Sequence, residues 1–107
     1  MIYVISATST EFVKIGLARN PITRMRELQT AQPTLLVLLA SADWPNISER
    51  RIHAVLRKHR TRGEWFTMND DIGRLIKHMQ AGDRGPKAWL TTLASPPRLA
   101  RILSIAR

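Results

Sequence analysis

The chain has 107 residues, 44% hydrophobic and 23% charged, with no cysteine and with 17 Lys+Arg against 8 Asp+Glu, a formal charge of +9. That length suits one compact domain with a core of its own, and the lack of cysteine excludes disulfides, zinc–thiolate centres and cysteine nucleophiles while suiting a reducing cytoplasm. The basic excess points to a polyanionic partner, nucleic acid ahead of an anionic membrane surface, and no run of about 18 apolar residues exists to span a bilayer.

Ile2–Ala7, rich in β-branched and aromatic residues and with no basic segment before it, reads as a strand rather than a signal peptide. Polar Thr8–Glu11 and the apolar run Phe12–Leu17 complete a hairpin. Asn20-Pro21 starts a helix, as N-cap and first helical residue, with Ile22, Met25 and Leu28 at helical spacing up to about Thr30. Gln32-Pro33 ends it. Thr34–Ala40, apolar on both faces, is expected as a central strand, with a buried helical piece as the alternative.

After the Asp43–Asn46 loop, Asn46 is placed to cap a second helix running from Ile47 to about His59, with Ile52, Val55 and Leu56 as its stripe. Arg60–Gly63 reads as a basic turn and Glu64-Trp65-Phe66 as a short extended piece. Asn69 caps a third helix carrying Ile72, Leu75, Ile76 and Met79 at core spacing. Residues 1–79 therefore form an expected α+β domain of order β-β-α-β-α-α, with a small, mainly antiparallel three-stranded sheet flanked by helices. Residues 80–107 form a basic C-terminal extension. Within it Gln80–Pro86 reads as a linker, Ala88–Leu93 as a short helix broken by Ser95-Pro96-Pro97, and Arg98–Arg107 as a further helical stretch.

Familiar catalytic arrangements are missing. There is no glycine-rich phosphate loop and no nucleophile elbow, and His53, His59 and His78 lack zinc-site spacing. What stands out is a scattered set: Tyr3, Lys14, Arg24, Glu49, His53 and Glu64. Ile2-Tyr3 followed by Val13-Lys14-Ile15-Gly16 resembles the paired GIY and YIG motifs of the GIY-YIG nuclease superfamily. Asn20-Pro21-x-x-Arg24 is similar to the helix start that carries its arginine, and Glu49-x-x-Ile52-His53 to the helix that supplies its metal-binding glutamate. Gly63-Glu64-Trp65-Phe66 resembles a segment of the compact branch found in phage and some cellular proteins, where Lys-Ile-Gly often stands for Tyr-Ile-Gly. The resemblance covers about residues 1–79 and implies a GIY-YIG-like fold. It also implies one Mg²⁺ or Mn²⁺ on Glu49, catalytic roles for Tyr3, Lys14, Arg24 and His53, and a bacterial or phage-infected host cytoplasm.

Elementary chemistry is compatible with those roles, and each residue also has a plain structural alternative. Arginine presents a permanently charged fork to phosphoryl oxygens. A tyrosine with a free pKa of about 10 takes a proton from water only if a neighbouring cation favours its phenolate. Lys14, on the adjacent strand, is the expected cation, and it stands where the parent pattern has tyrosine, which leaves Tyr3 as the base. Their plain alternatives are a half-buried strand aromatic and a solvated strand lysine. Arg24 lies about 200° around the helix from Arg26, so at most one faces a site; Leu28 stands where some relatives carry a polar helper. Glu49 at N3 below Asn46 would complete a capping box without any metal. His53, one turn on, either orients water or phosphate or bonds backbone. Glu64 could pair with Arg60 or Arg62, and Trp65 and Phe66 read first as core or sheet-edge residues.

Arg50, Arg57, Lys58, Arg60 and Arg62 flank Glu49 in sequence and suit phosphate-backbone contacts that position a strand without reading it. The sequence thus leads to an expectation of a metal-dependent endonuclease acting on nucleic acid, DNA first. A non-catalytic nucleic-acid-binding module on the same fold is the main alternative, and a basic protein-interaction domain the third.

Overall fold

The computed structural model describes residues 1–93; the expected break at Ser95–Pro97 and the helical stretch 98–107 lie outside them. The fold is α+β, as expected, but its sheet has five antiparallel strands rather than three, in the order β3-β1-β2-β5-β4. The strands are β1 (Ile2–Ala7), β2 (Phe12–Leu17), β3 (Leu36–Ala42), β4 (Arg60–Arg62) and β5 (Trp65–Thr67). The helices are α1 (Pro21–Gln29), α2 (Glu49–Val55), α3 (Asp70–Gln80) and α4 (Lys87–Leu90), with a 3₁₀ turn at Arg57–His59.

The β1–β2 hairpin forms as its residues predict. Thr10 closes the turn, donating backbone N–H and hydroxyl to the Ala7 carbonyl, while its hydroxyl accepts from Phe12 N. β1 is buried along nearly its whole length because both faces of the sheet are covered. Ile2 and Val4 point with Val13, Ile15 and Phe66 into a core filled by α2, α3 and Trp89. Tyr3, Ile5 and Ala7 point the other way, with Leu36, against Met25 and Leu28 of α1.

Five differences from the sequence expectation have physical causes. Thr34–Ala40 was expected as a central strand; the observed β3 begins at Leu36 and pairs only with β1, at the sheet edge. Its apolar character arises because Leu36 serves the α1 side while Ala40 and Ala42 serve the other. The basic turn at Arg60–Gly63 is instead strand β4, joined to β5 through Gly63 at φ 57. Three exposed residues are too few to show an alternation. Ile22 is 50% exposed, so α1 packs through Pro21, Met25 and Leu28.

The second helix starts later than expected and ends earlier. Asn46 does not cap it. Ile47 is drawn into the core by a turn onto Trp44, and Ser48 becomes the N-cap, its hydroxyl accepting from Arg51 N at 3.2 Å. Burial of Leu56 then ends the helix in a 3₁₀ turn that leads the chain back into the sheet as β4.

Two residues not singled out in the sequence tie the architecture together. Gln29 donates its amide to the Thr34 carbonyl and accepts from Leu36 N at 2.7 Å, which fixes the loop from α1 into β3. Trp89 is wholly buried, and its indole N–H donates to the Asp71 carbonyl at 2.8 Å. The core therefore continues past residue 79. Replacing Trp89 by alanine is expected to lower unfolding stability by about 3–5 kcal/mol in a urea titration, the range for a buried tryptophan.

Candidate functional site

Gly16 determines how the site can form. Tyr3 faces it directly across the β1–β2 pair. A Cβ built on Gly16 would overlap the Tyr3 ring at its hydroxyl end, so only glycine lets the ring lie flat on the neighbouring strand. Tyr3 is 1% exposed overall and sits on the α1 side of the sheet. There the Arg24 guanidinium lies close enough to favour its phenolate. Glu27, one turn further along α1, holds Arg24 from the other side at 3.3 Å.

Lys14 lies on the same face as Tyr3 but opposite Ile5. Its ammonium is 2.8 Å from Glu64 Oε2 and 5.6 Å from the Trp65 ring centroid. The expected Lys14–Tyr3 pair is therefore not what forms. Burial, together with the charge of Glu64, raises the Tyr3 pKa above its ordinary value, and the cation that opposes this is Arg24. The phenol keeps its proton in the resting protein. Nor does Glu64 pair with Arg60 or Arg62, as the local sequence suggested: Arg60 Nε donates to the Gly63 carbonyl at 2.6 Å instead.

Glu49 reaches the same place from the opposite layer. At the first position of α2 it has no capping-box role, because Ser48 is the cap. Its carboxyl lies near the Leu17 backbone N–H, which favours its charge, and near the Glu64 carboxyl, which opposes it. Partial burial and the adjoining Glu64 push the Glu49 pKa up to about 7. Burial also works against the Glu64 charge, but the Lys14 ammonium and the neighbouring Glu49 carboxyl outweigh it and hold the Glu64 carboxyl below its usual range. The two carboxyl groups thus titrate as a pair, with protonation of Glu49 favoured over that of Glu64.

His53 lies beside them with Nε2 at 2.7 Å from the Ile15 carbonyl and 3.7 Å from Glu49 Oε1. A carbonyl only accepts, so Nε2 carries the hydrogen, and the ring stacks obliquely on Phe66 at 5.0 Å. This backbone bond is the plainer of the two arrangements expected for His53.

Arg50, Arg57 and Arg60 line an open cleft of about 560 Å³ together with Glu49 and His53. Arg62 lies apart, beside Trp65, and Lys58 is exposed on the 3₁₀ turn. Phe66 is core, whereas Trp65 is only half-buried. Among the described residues no group of three or more His, Asp or Glu side chains is arranged to hold a metal ion, and no helix is long and apolar enough to cross a membrane. Leu17, whose backbone N–H lies near Glu49, carries no signal in the sequence because its partner comes from another element, whereas Arg24 and Glu27 form an i,i+3 pair within one helix. Gly16 was legible only as part of a motif.

Two outcomes follow from this geometry. Gly16→Ala is expected to cost about 1–3 kcal/mol of stability by overpacking, and clearly less in a Tyr3→Ala background, as a double-mutant cycle in urea would show. Because the folded state favours protonated Glu49, its stabilising contribution is full below the ordinary carboxylate pKa and is lost as pH rises through about 7. Over that interval the Tm of metal-free protein is expected to fall relative to the Glu49→Gln variant. Glu64, shifted the other way, contributes no slope there, since its stabilisation is lost only at more acidic pH.

A model of the T5orf172 domain matches residues 1–80. No curated protein and no solved structure matches the chain.

Proposed function

The chain belongs to the T5orf172 domain family, and from that premise we propose that it is an endonuclease of the GIY-YIG type, hydrolysing phosphodiester bonds in nucleic acid, DNA first. The observation that carries this reading is convergence: Tyr3, Arg24, Glu49 and Glu64, from four separate elements or loops, lie close enough to act electrostatically on one tyrosine. The relation of T5orf172 domains to nuclease-type domains supports it, as does the +9 charge.

Arg24, steadied by Glu27 beside the Tyr3 hydroxyl, is the residue to hold a non-bridging phosphate oxygen. Tyr3 is the residue to take the proton of the attacking water. Glu64 and Glu49 oppose that by their charge, and Arg24 favours it. Neutralising the carboxylate pair therefore leaves the guanidinium as the dominant charge beside the phenol. Lys14 acts one step removed, by fixing Glu64 and adding positive potential near the strand. His53, bonded to the Ile15 carbonyl, serves to position Glu49.

The reading calls for one Mg²⁺ or Mn²⁺, for which Glu49 and Glu64 would be the donors. Two carboxyl groups close enough to shift each other's titration favour positive charge between them, and their oxygens are the donors such cations take. Glu49 would hold the ion, with Glu64 alongside. When bound, it supplies charge stabilisation at the phosphoryl and leaving oxygens. Arg50, Arg57 and Arg60, in the same cleft, would hold neighbouring phosphates.

Purified protein with Mg²⁺ or Mn²⁺ is expected to nick supercoiled DNA, Glu49→Ala to abolish nicking, and Arg24→Ala to slow it by about a hundredfold or more. Arg57→Ala is expected to reduce the salt dependence of DNA binding by about one unit of log–log slope. Nicking that survives Glu49→Ala in a clean preparation would rule the mechanism out. One observation favours a binding module without catalysis, namely the Lys14 ammonium seated directly on Glu64. Salt-sensitive DNA binding with no cutting in either cation would establish that alternative.

A further inference from the structure

The sheet face that carries Tyr3 and Lys14 is only half covered. Helix α1 packs over β1 and β3 through Met25 and Leu28. The β2–β5 half is left with Phe12 at 38% exposure and Trp65 half-buried. Between that half and the loop from α1 into β3 lies a separate open pocket of about 350 Å³. Its lining combines three kinds of group.

Phe12 and Trp65, two positions apart in the β2–β5 register, put two aromatic rings on one surface. Gln32 and Thr34 bring an amide and a hydroxyl that make no side-chain hydrogen bond among the described residues, and Gln29 holds their loop in place. Arg62 brings an exposed guanidinium without an ion-pair partner there. A plain anion has no use for two aromatic rings, and an apolar ligand has none for the arginine. A planar, hydrogen-bonding heterocycle attached to a phosphate matches all three. The volume lies near the lower end of the roughly 300–1,000 Å³ typical of small-ligand sites, which suits one base rather than a base pair.

Position sharpens the match. Trp65 lines this pocket and also lies 5.6 Å from the Lys14 ammonium, which pairs with Glu64. The pocket and the carboxylate cluster are thus separated by a single side chain. We propose that this pocket receives an unpaired nucleobase of a nucleic acid strand whose adjoining phosphate lies over the Arg24–Lys14 cluster. A base inside a duplex is stacked on both faces and cannot enter such a site. The favoured substrate is accordingly single-stranded, or carries a nucleotide turned out of its stack, held by aromatic stacking that tolerates any sequence. This deepens the nuclease reading and rests on it for the neighbouring phosphate.

The test does not require cutting. Trp44 and Trp89 are 3% and 0% exposed, so a bound strand can stack only on Trp65 and the ligand-induced change in emission reports chiefly on it, with Trp65→Phe as the control. In metal-free protein, a mixed-sequence single-stranded DNA dodecamer is expected to quench that emission as it binds. Binding is followed in parallel by anisotropy of a labelled strand. The duplex of the same sequence, at equal occupancy, is expected to leave the emission unchanged. Phe12→Ala, an exposed change that should fold normally by circular dichroism, and Trp65→Ala are each expected to weaken single-strand binding about five- to twentyfold, with Trp65→Phe restoring most of it.

Absence of single-strand binding overturns the proposal, as does saturation without quenching, equal quenching by duplex, or unchanged affinity in both alanine variants. Quenching by a protein that cuts nothing would retire the nuclease reading and leave the pocket standing. Cutting with Trp65 emission unperturbed by bound strand would do the reverse.

Discussion

Strand β1 is buried on both faces, and the rest of the architecture answers to that constraint. An antiparallel sheet usually leaves one face to water. Here Ile2 and Val4 on one side, and Tyr3, Ile5 and Ala7 on the other, each need a covering layer. The chain supplies α1 to one face and α2, α3 and α4 to the other. The consequence reaches the site, because Arg24 arrives from the first layer and Glu49 from the second. A sheet covered on one side alone would not bring a cation and a carboxylate from separate helices to the same tyrosine.

Gly16 is the local counterpart of that constraint. With no side chain opposite Tyr3, the ring lies across β2 and its hydroxyl extends toward Arg24. Packing and chemistry are thus served by one contact. The ring fills the second core, and the same placement puts its polar end among charges.

The electrostatics of the cluster run against the overall composition. A chain with 17 basic and 8 acidic residues brings two of its few acids close enough to shift each other's titration. Lys14 compensates one of them, and the pKa of the second is pushed up to about 7. That arrangement favours positive charge locally, while arginines around the cleft favour negative charge from a polymer backbone.

Much of this was legible in the sequence, for reasons that can be stated. The hairpin, α1 with its Asn20–Pro21 start, and α3 with its Asn69 cap follow from local rules: turn chemistry, capping and apolar period. The class of fold follows from their order. Candidate residues were also visible as an ordered set of short motifs, since spacing along the chain survives whatever the chain does in space. Partnerships were not. Lys14 was read toward Tyr3 and pairs with Glu64, the capping box that was the plain alternative for Glu49 does not form and Glu49 lies beside Glu64, and Arg60–Gly63 was read as a turn and holds a strand. Each of those outcomes depends on β5 docking beside β2, a pairing between segments about 50 residues apart, for which three-residue strands leave no periodic trace. By itself the sequence determined which local elements form, because their hydrogen bonds and apolar stripes close within a few residues. Only the tertiary structure decided which charges meet, because a charge's partner is set by distance through space, and that distance exists only once the layers have packed.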